Sequence, residues 1–176
     1  LGTFGIQDWA FAFGYGRGVG ESFSLGAAVK GLYEKIDRYS LFAPAADLGA
    51  LYSPEFGPLT AGFALQNLGP PARGRWTSEE LPANLRAGAA WRGFEGGVLT
   101  VDLNKRRAGA PTVHAGAEYT AFKRVAMRLG YNGRNEADSG IAMGFGLLLP
   151  GAAVDYAFAP FGGLGNAHRI SLSFNW

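Results

Sequence analysis

Hydrophobic and polar residues alternate along nearly the whole chain. In the stretch 168–176, Ile170, Leu172, Phe174 and Trp176 fall on one side, and Arg169, Ser171, Ser173 and Asn175 on the other. A period of two places successive side chains on opposite faces of an extended backbone, so this stretch predicts a strand with one apolar face. The same rule predicts ten more. The first, about Asp8 to Arg17, sets Trp9, Phe11, Phe13 and Tyr15 against Asp8, Ala10, Ala12, Gly14 and Gly16. The second, about Ser22 to Tyr33, sets Phe23, Leu25, Ala27, Val29 and Tyr33 against Ser24, Gly26 and Lys30. Further matches lie at about 47–52, 61–66, 85–92, 99–104, 113–119, 125–132, 140–149 and 154–158. Eleven strands of roughly ten residues have the length that crosses a bilayer at a tilt.

The face opposite the large residues argues against a soluble sandwich, whose wet face carries Lys, Glu and Thr. Here it carries mostly Gly, Ala, Ser and single charges. Trp9, Tyr15, Tyr33, Tyr52, Trp91, Tyr119, Tyr131 and Trp176 sit on the apolar face near strand ends. Amphipathic rings gain at the headgroup level of a membrane, so the apolar face is expected to meet lipid. Connections alternate in length. Short ones fall at Gly18–Gly20, Phe94–Gly96, Phe122–Lys123 and Pro150–Gly151; longer ones fall at Glu34–Pro44, Gly69–Pro82, Arg106–Pro111, Gly133–Ser139 and Ala159–Asn166. Short periplasmic turns with longer outer loops are the rule for outer-membrane barrels. The final strand, with Ile170, Leu172, Phe174 and Trp176, resembles the closing strand of such barrels, which implies that it serves as the assembly signal.

Folding neighbouring strands about their turns brings Lys30 near Asp47, Arg86 near Asp102, Glu118 near Arg128, and Asp155 near Arg169. A charge in a narrow lumen must be paired or wet, so these are expected to be cross-strand ties that set register rather than a selective lining. Arg73 and Arg75 lie in the longest outer loop, and Lys105, Arg106 and Arg107 at the top of the sixth strand. They are candidate lipopolysaccharide contacts, because guanidinium forks suit phosphate; ordinary solvated loop charge is the alternative.

Of the 176 residues 48% are hydrophobic, 14% aromatic and only 17% charged, against about 25% charged in soluble proteins. No apolar run is long enough for a helical span. A net charge of +2 gives no footing for nucleic acid. Chemistry is sparse. There is no Cys, and His114 and His168 are the two histidines; neither is spaced with a Ser or an acid as a catalytic set, nor as a metal site. Gly14-Tyr-Gly16-Arg-Gly18 lies within a strand with no helix after it, so it is no phosphate loop. No enzyme, cofactor or metal site is expected.

The run Gly62-Phe-Ala-Leu-Gln-Asn-Leu-Gly-Pro70, then Leu81-Pro-Ala-Asn-Leu-Arg-Ala-Gly88, resembles the PorV/PorQ family of FadL-like outer-membrane proteins. So do Gly116-Ala-Glu-Tyr119, Arg128-Leu-Gly-Tyr131, Asp155-Tyr-Ala-Phe158 and His168-Arg-Ile-Ser-Leu-Ser-Phe174. The resemblance implies an all-β, antiparallel transmembrane barrel of about fourteen strands in the outer membrane of a Gram-negative-type bacterium. Residues 1–176 would be one barrel domain without the N-terminal plug and about three early strands, completed by those strands or by a partner chain. It also implies a component or adaptor of a protein secretion or surface-attachment apparatus, with secretion-complex proteins as partners. A FadL-like transporter of hydrophobic small molecules is the alternative, and a soluble or structural β-protein a third reading.

Overall fold

The computed structural model describes residues 5–37, 39–74, 78–134 and 139–174. The chain is all-β, and one 3₁₀ turn at Gly162–Leu164 is the only helical segment among the described residues. The strands are β1 (Ile6–Val19), β2 (Phe23–Ile36), β3 (Tyr39–Tyr52), β4 (Leu59–Leu68), β5 (Ala72–Gly74), β6 (Ser78–Glu79), β7 (Asn84–Trp91), β8 (Gly97–Arg106), β9 (Thr112–Ala121), β10 (Val125–Asn132), β11 (Ile141–Leu149), β12 (Ala152–Pro160) and β13 (Asn166–Phe174). They make an antiparallel sheet of thirteen strands in the order β1-β2-β3-β4-β7-β8-β9-β10-β11-β12-β13, with the short β5 paired to β3 and β6 paired to β5. Among the described residues β1 has one paired neighbour, β2, and β13 has one, β12.

All eleven stretches with period-two alternation form strands, the last described as far as Phe174, and the two extra strands are short. One expected loop is absent. Residues 34–36 and 39–44 are strand rather than connection: β2 and β3 continue as a hairpin of two fourteen-residue strands, paired from Phe23↔Tyr52 to Ile36↔Tyr39. Alternation is weak there, but pairing across the hairpin satisfies the backbone regardless of side-chain pattern. Pro44 is tolerated opposite Gly31. The 69–82 connection, also expected as a plain loop, holds β5 and β6, with Leu41↔Gly74 and Phe42↔Arg73 extending the sheet beyond β3.

The chain divides into two compact units: residues 1–55, 62–87 and 105–110, and residues 56–61, 88–104 and 111–176. In the first, the β1–β2 hairpin lays Trp9, Phe11, Phe13 and Tyr15 opposite Tyr33, Gly31, Val29 and Ala27 on one face. A small core lies on the other face, where Leu81 covers Ala43 and Ala45 with Leu32 and Ala72 beside them. Gly69 makes that return possible, since a Cβ there would overlap the Pro44 carbonyl oxygen and come 2.9 Å from Leu81 Cδ1.

In the second unit β9 to β13 form a meander whose registers include Glu118↔Arg128, Met127↔Phe145, Phe145↔Tyr156 and Val154↔Leu172. The β9–β10 turn carries Phe122 and Lys123 at φ +52° and +56°, closed by Arg124 N–H donating to Ala121 O at 3.0 Å. Two non-glycine residues in the left-handed region cost on the order of 1–3 kcal/mol each.

Burial is inverted relative to a soluble domain. Phe13 is 80% exposed, Phe145 55% and Leu172 65%, whereas Ala126, on the opposite face, is 0% exposed. Along β11 the order is regular: Ile141, Met143, Phe145, Leu147 and Leu149 are exposed, while Gly144 and Gly146 between them are buried. Among the described residues the buried hydrophobics are Ala43, Ala45, Leu81 and Ala126, all but one of them alanine. Within each unit, no described element forms a second layer over these large side chains.

Gly69→Val is expected to lower the urea midpoint of the lipid- or detergent-refolded chain, losing about 1–3 kcal/mol through overpacking against Pro44 and Leu81. Gly163→Ala, where a Cβ meets no atom within 4 Å, should leave it unchanged. Equal midpoints for the two variants would contradict the packing described.

Candidate functional site

The face opposite the large apolar residues carries two polar nodes, one in each unit. The first is centred on Asn67. Although it lies within β4, its φ is +57°, the left-handed region that Asn enters more readily than most residues. This turns its backbone N–H onto Asp47 Oδ1 at 2.8 Å. Its side chain accepts from Lys30 Nζ at 2.5 Å and donates Nδ2 to the Pro82 carbonyl at 3.1 Å. Lys30 Nζ also lies 2.7 Å from Asp47 Oδ1. One asparagine thus joins β2, β3 and β4 to the segment that brings Leu81 onto the core. Beside it, Asn84 Nδ2 donates to Gln66 Oε1 at 3.2 Å.

The second node is centred on Arg128 of β10. Its Nε donates to Glu118 Oε2 on β9 at 2.5 Å, and its Nη1 donates to Asp155 Oδ1 on β12. To reach Asp155 it must cross β11, and the two residues it crosses are Gly144 and Gly146. A Cβ on Gly146 would come 2.6 Å from Asp155 Oδ1 and 3.0 Å from Arg128 Nη1. The glycines therefore form the corridor that lets one planar guanidinium bridge two carboxylates over four strands.

The structure brings together Lys30 with Asp47 and Glu118 with Arg128. Asp155 pairs with Arg128 rather than with Arg169. The β12–β13 register sets Asp155 opposite Ser171 and Arg169 opposite Ala157, two residues out of direct opposition, whereas the slim β11 opens a path to Arg128. Among the described residues Arg86 and Asp102 form no ion pair; Asp102 lies against Gly88, where an added Cβ would overlap its carboxylate. Ile170, Leu172 and Phe174 line the exposed apolar face of β13, and Trp176 lies outside the described residues.

Of the candidate lipopolysaccharide contacts, Arg107 is committed to Glu80 through two bonds of 2.9 Å. Lys105 Nζ donates to the Gly109 carbonyl at 2.6 Å. Arg73 and Arg106 are exposed, and Arg75 lies outside the described residues. His114 on β9 is half-buried, with Nε2 3.2 Å from Thr112 Oγ1. His168 shares the apolar face with Ile170, its Nδ1 2.8 Å from the Tyr156 hydroxyl and its ring 5.3 Å from Phe158. Asn67 and the β11 corridor were not legible as functional positions. The single signal for the corridor is Gly at every second place in Gly144-Phe-Gly146, which marks a slim face without naming what crosses it.

Chemically, both nodes are closed sets of donors and acceptors, with no nucleophile held by a base. In the first unit a depression of about 350 Å³ opens beside Asp47, lined by Gly14, Gly26, Ala28, Gly49 and Gln66 among others. No family model matches the chain, and no curated protein matches its sequence.

Arg128→Met should destabilise the chain by about 1–2 kcal/mol, a figure reduced for the partial exposure of the three side chains, because it strands two carboxylates. Adding Glu118→Gln and Asp155→Asn to that variant should restore most of the loss in equilibrium urea unfolding. No recovery in the triple variant would show that the node is not an electrostatic unit.

Proposed function

We propose that this chain belongs to an outer-membrane β-barrel of PorV/PorQ type, acting as a component or adaptor of a protein secretion or surface-attachment apparatus. The inverted burial pattern supports the membrane half of this reading. Fully burying a large apolar side chain is worth about 1.5–3 kcal/mol, and a sheet with one such residue at every second position of most long strands requires a cover. Lipid supplies it, with Trp91, Tyr119, Tyr52 and Tyr131 near strand ends at the headgroup level. The free edges of β1 and β13 would be intolerable in hydrocarbon, so further strands or a partner chain would complete the barrel.

The adaptor half is supported by the closed nodes. Lys30, Asp47 and Asn67 satisfy one another, as do Glu118, Arg128 and Asp155. Charges tied across strands in this way fix register, although one guanidinium meeting two carboxylates leaves the second node one negative charge in excess. A second reading, transport of hydrophobic small molecules, is favoured by the open depression beside Asp47, lined mostly by Gly and Ala.

Deleting the gene from its host should abolish surface display of an exported protein and leave uptake of long-chain hydrophobic compounds intact. The reverse outcome would favour the transporter. For the membrane half, Phe145→Arg should cost about 2–4 kcal/mol of folding stability in bilayers, as for a charge near mid-membrane on a lipid face. A cost near zero would contradict it.

A further inference from the structure

The β9–β10 hairpin reverses on two residues poorly suited to its turn. Phe122 and Lys123 both lie in the left-handed region, at φ +52° and +56°. Two left-handed central residues give the turn whose twist suits a hairpin, and Asn-Gly is its ordinary content. A bulky residue there is an outlier. The hairpins on either side at the same end of the second unit, β7–β8 and β11–β12, place Gly96 and Gly151 at their left-handed positions, both at φ +75°.

Packing does not offset this strain. Phe122 is 92% exposed, the highest value among the described large hydrophobics, so its ring has almost no contact with the chain. Backbone bonds hold the segment, with Arg124 N–H donating to Ala121 O at 3.0 Å and Leu148 N–H to Arg124 O at 2.7 Å. Among the described residues neither Lys123 nor Arg124 forms an ion pair. Glu118, the nearest carboxylate along the chain, is held by Arg128, and Glu95 belongs to the separate β7–β8 turn. The tip therefore presents one bare aromatic ring and two adjoining cations. Strain kept without an internal return is found where a segment has a function.

We propose that the Phe122-Lys123-Arg124 turn docks an acidic protein surface, with Phe122 entering an apolar pocket whose rim carboxylates meet Lys123 and Arg124. The proposal rests on the adaptor reading and deepens it by naming the contact surface and the chemistry of its partner. A single aromatic anchor in a desolvated pocket carries much of the energy of such an interface, and complementary charge at the rim steers and selects the partner. A tight two-residue turn loses little freedom on docking. Lipid fits the tip less well. Tyr119 is the last ring of β9 on the apolar face, at the headgroup level on the membrane reading. Phe122 lies three residues further along the chain, and at about 3.3 Å per residue the tip stands beyond that level.

The test is made in the host with the full chain. F122N/K123G gives the turn its ordinary residues, so it should raise the urea midpoint of the refolded chain and reach the membrane at normal levels, yet lose surface display of the exported protein. K123E/R124E should lose display as well. p-Benzoylphenylalanine at position 122 should cross-link one protein. That protein, once purified, should bind the F122A chain at least about thirtyfold more weakly than the unmodified chain. An unchanged midpoint or full display in F122N/K123G, an adduct with lipid alone, or equal affinity for F122A each overturns the docking turn and leaves the adaptor reading standing. Display that survives deletion of the gene overturns the adaptor reading and the docking turn together.

Discussion

A strand sends alternate side chains to opposite faces, and in this chain most of the bulk goes to the face that no described element of the same unit covers. The rest of the structure follows from that asymmetry. Slipping a strand by one residue would carry Phe145 and Leu147 to the side occupied by Gly144 and Gly146, so register is specified by size as much as by polarity. The small-residue face then has little apolar material from which to build a core, and among the described residues it manages only Ala43, Ala45 and Leu81 together with the isolated Ala126. What remains to hold strands in place on that side is the backbone ladder and a few polar side chains.

Those side chains work as nodes rather than as pairs. Arg128 spans β9, β10 and β12 because β11 is glycine where the guanidinium passes, and Asn67 spans three strands and a returning segment because its backbone turns left-handed inside β4. One depends on the left-handed backbone of Asn67, the other on the two positions without side chains at Gly144 and Gly146. A charge count along the strands would treat the inner face as four independent ion pairs. The geometry instead concentrates the electrostatics at two points, which is why neighbouring positions such as Arg169 are left without an ion pair among the described residues.

Much of this was legible in the alternation. The eleven long strands, the facing of Phe13, Phe145 and Leu172, and the pairs Lys30–Asp47 and Glu118–Arg128 follow from period two and antiparallel folding about short turns. The partner of Asp155 was not, because pairing by adjacency assumes that a strand between two charges blocks them, and Gly144 and Gly146 remove the block. The extension of β2 to Ile36 and of β3 back to Tyr39 was hidden because hairpin pairing stabilises residues whose own pattern is irregular. Arg107 looked like free loop charge because its partner, Glu80, is 27 residues away across a connection whose course no periodicity describes.

Whether the apolar face meets lipid is the point on which the functional reading turns, and the absence of Cys makes every introduced thiol unique. Nitroxide labels placed one at a time at positions 113 to 119 of β9, in the chain refolded into bilayers, would report oxygen against nickel-chelate accessibility. High oxygen access at 113, 115, 117 and 119, with oxygen access lost at 114, 116 and 118, is the predicted pattern. Preferential access of the water-soluble chelate to 113, 115, 117 and 119 would contradict it.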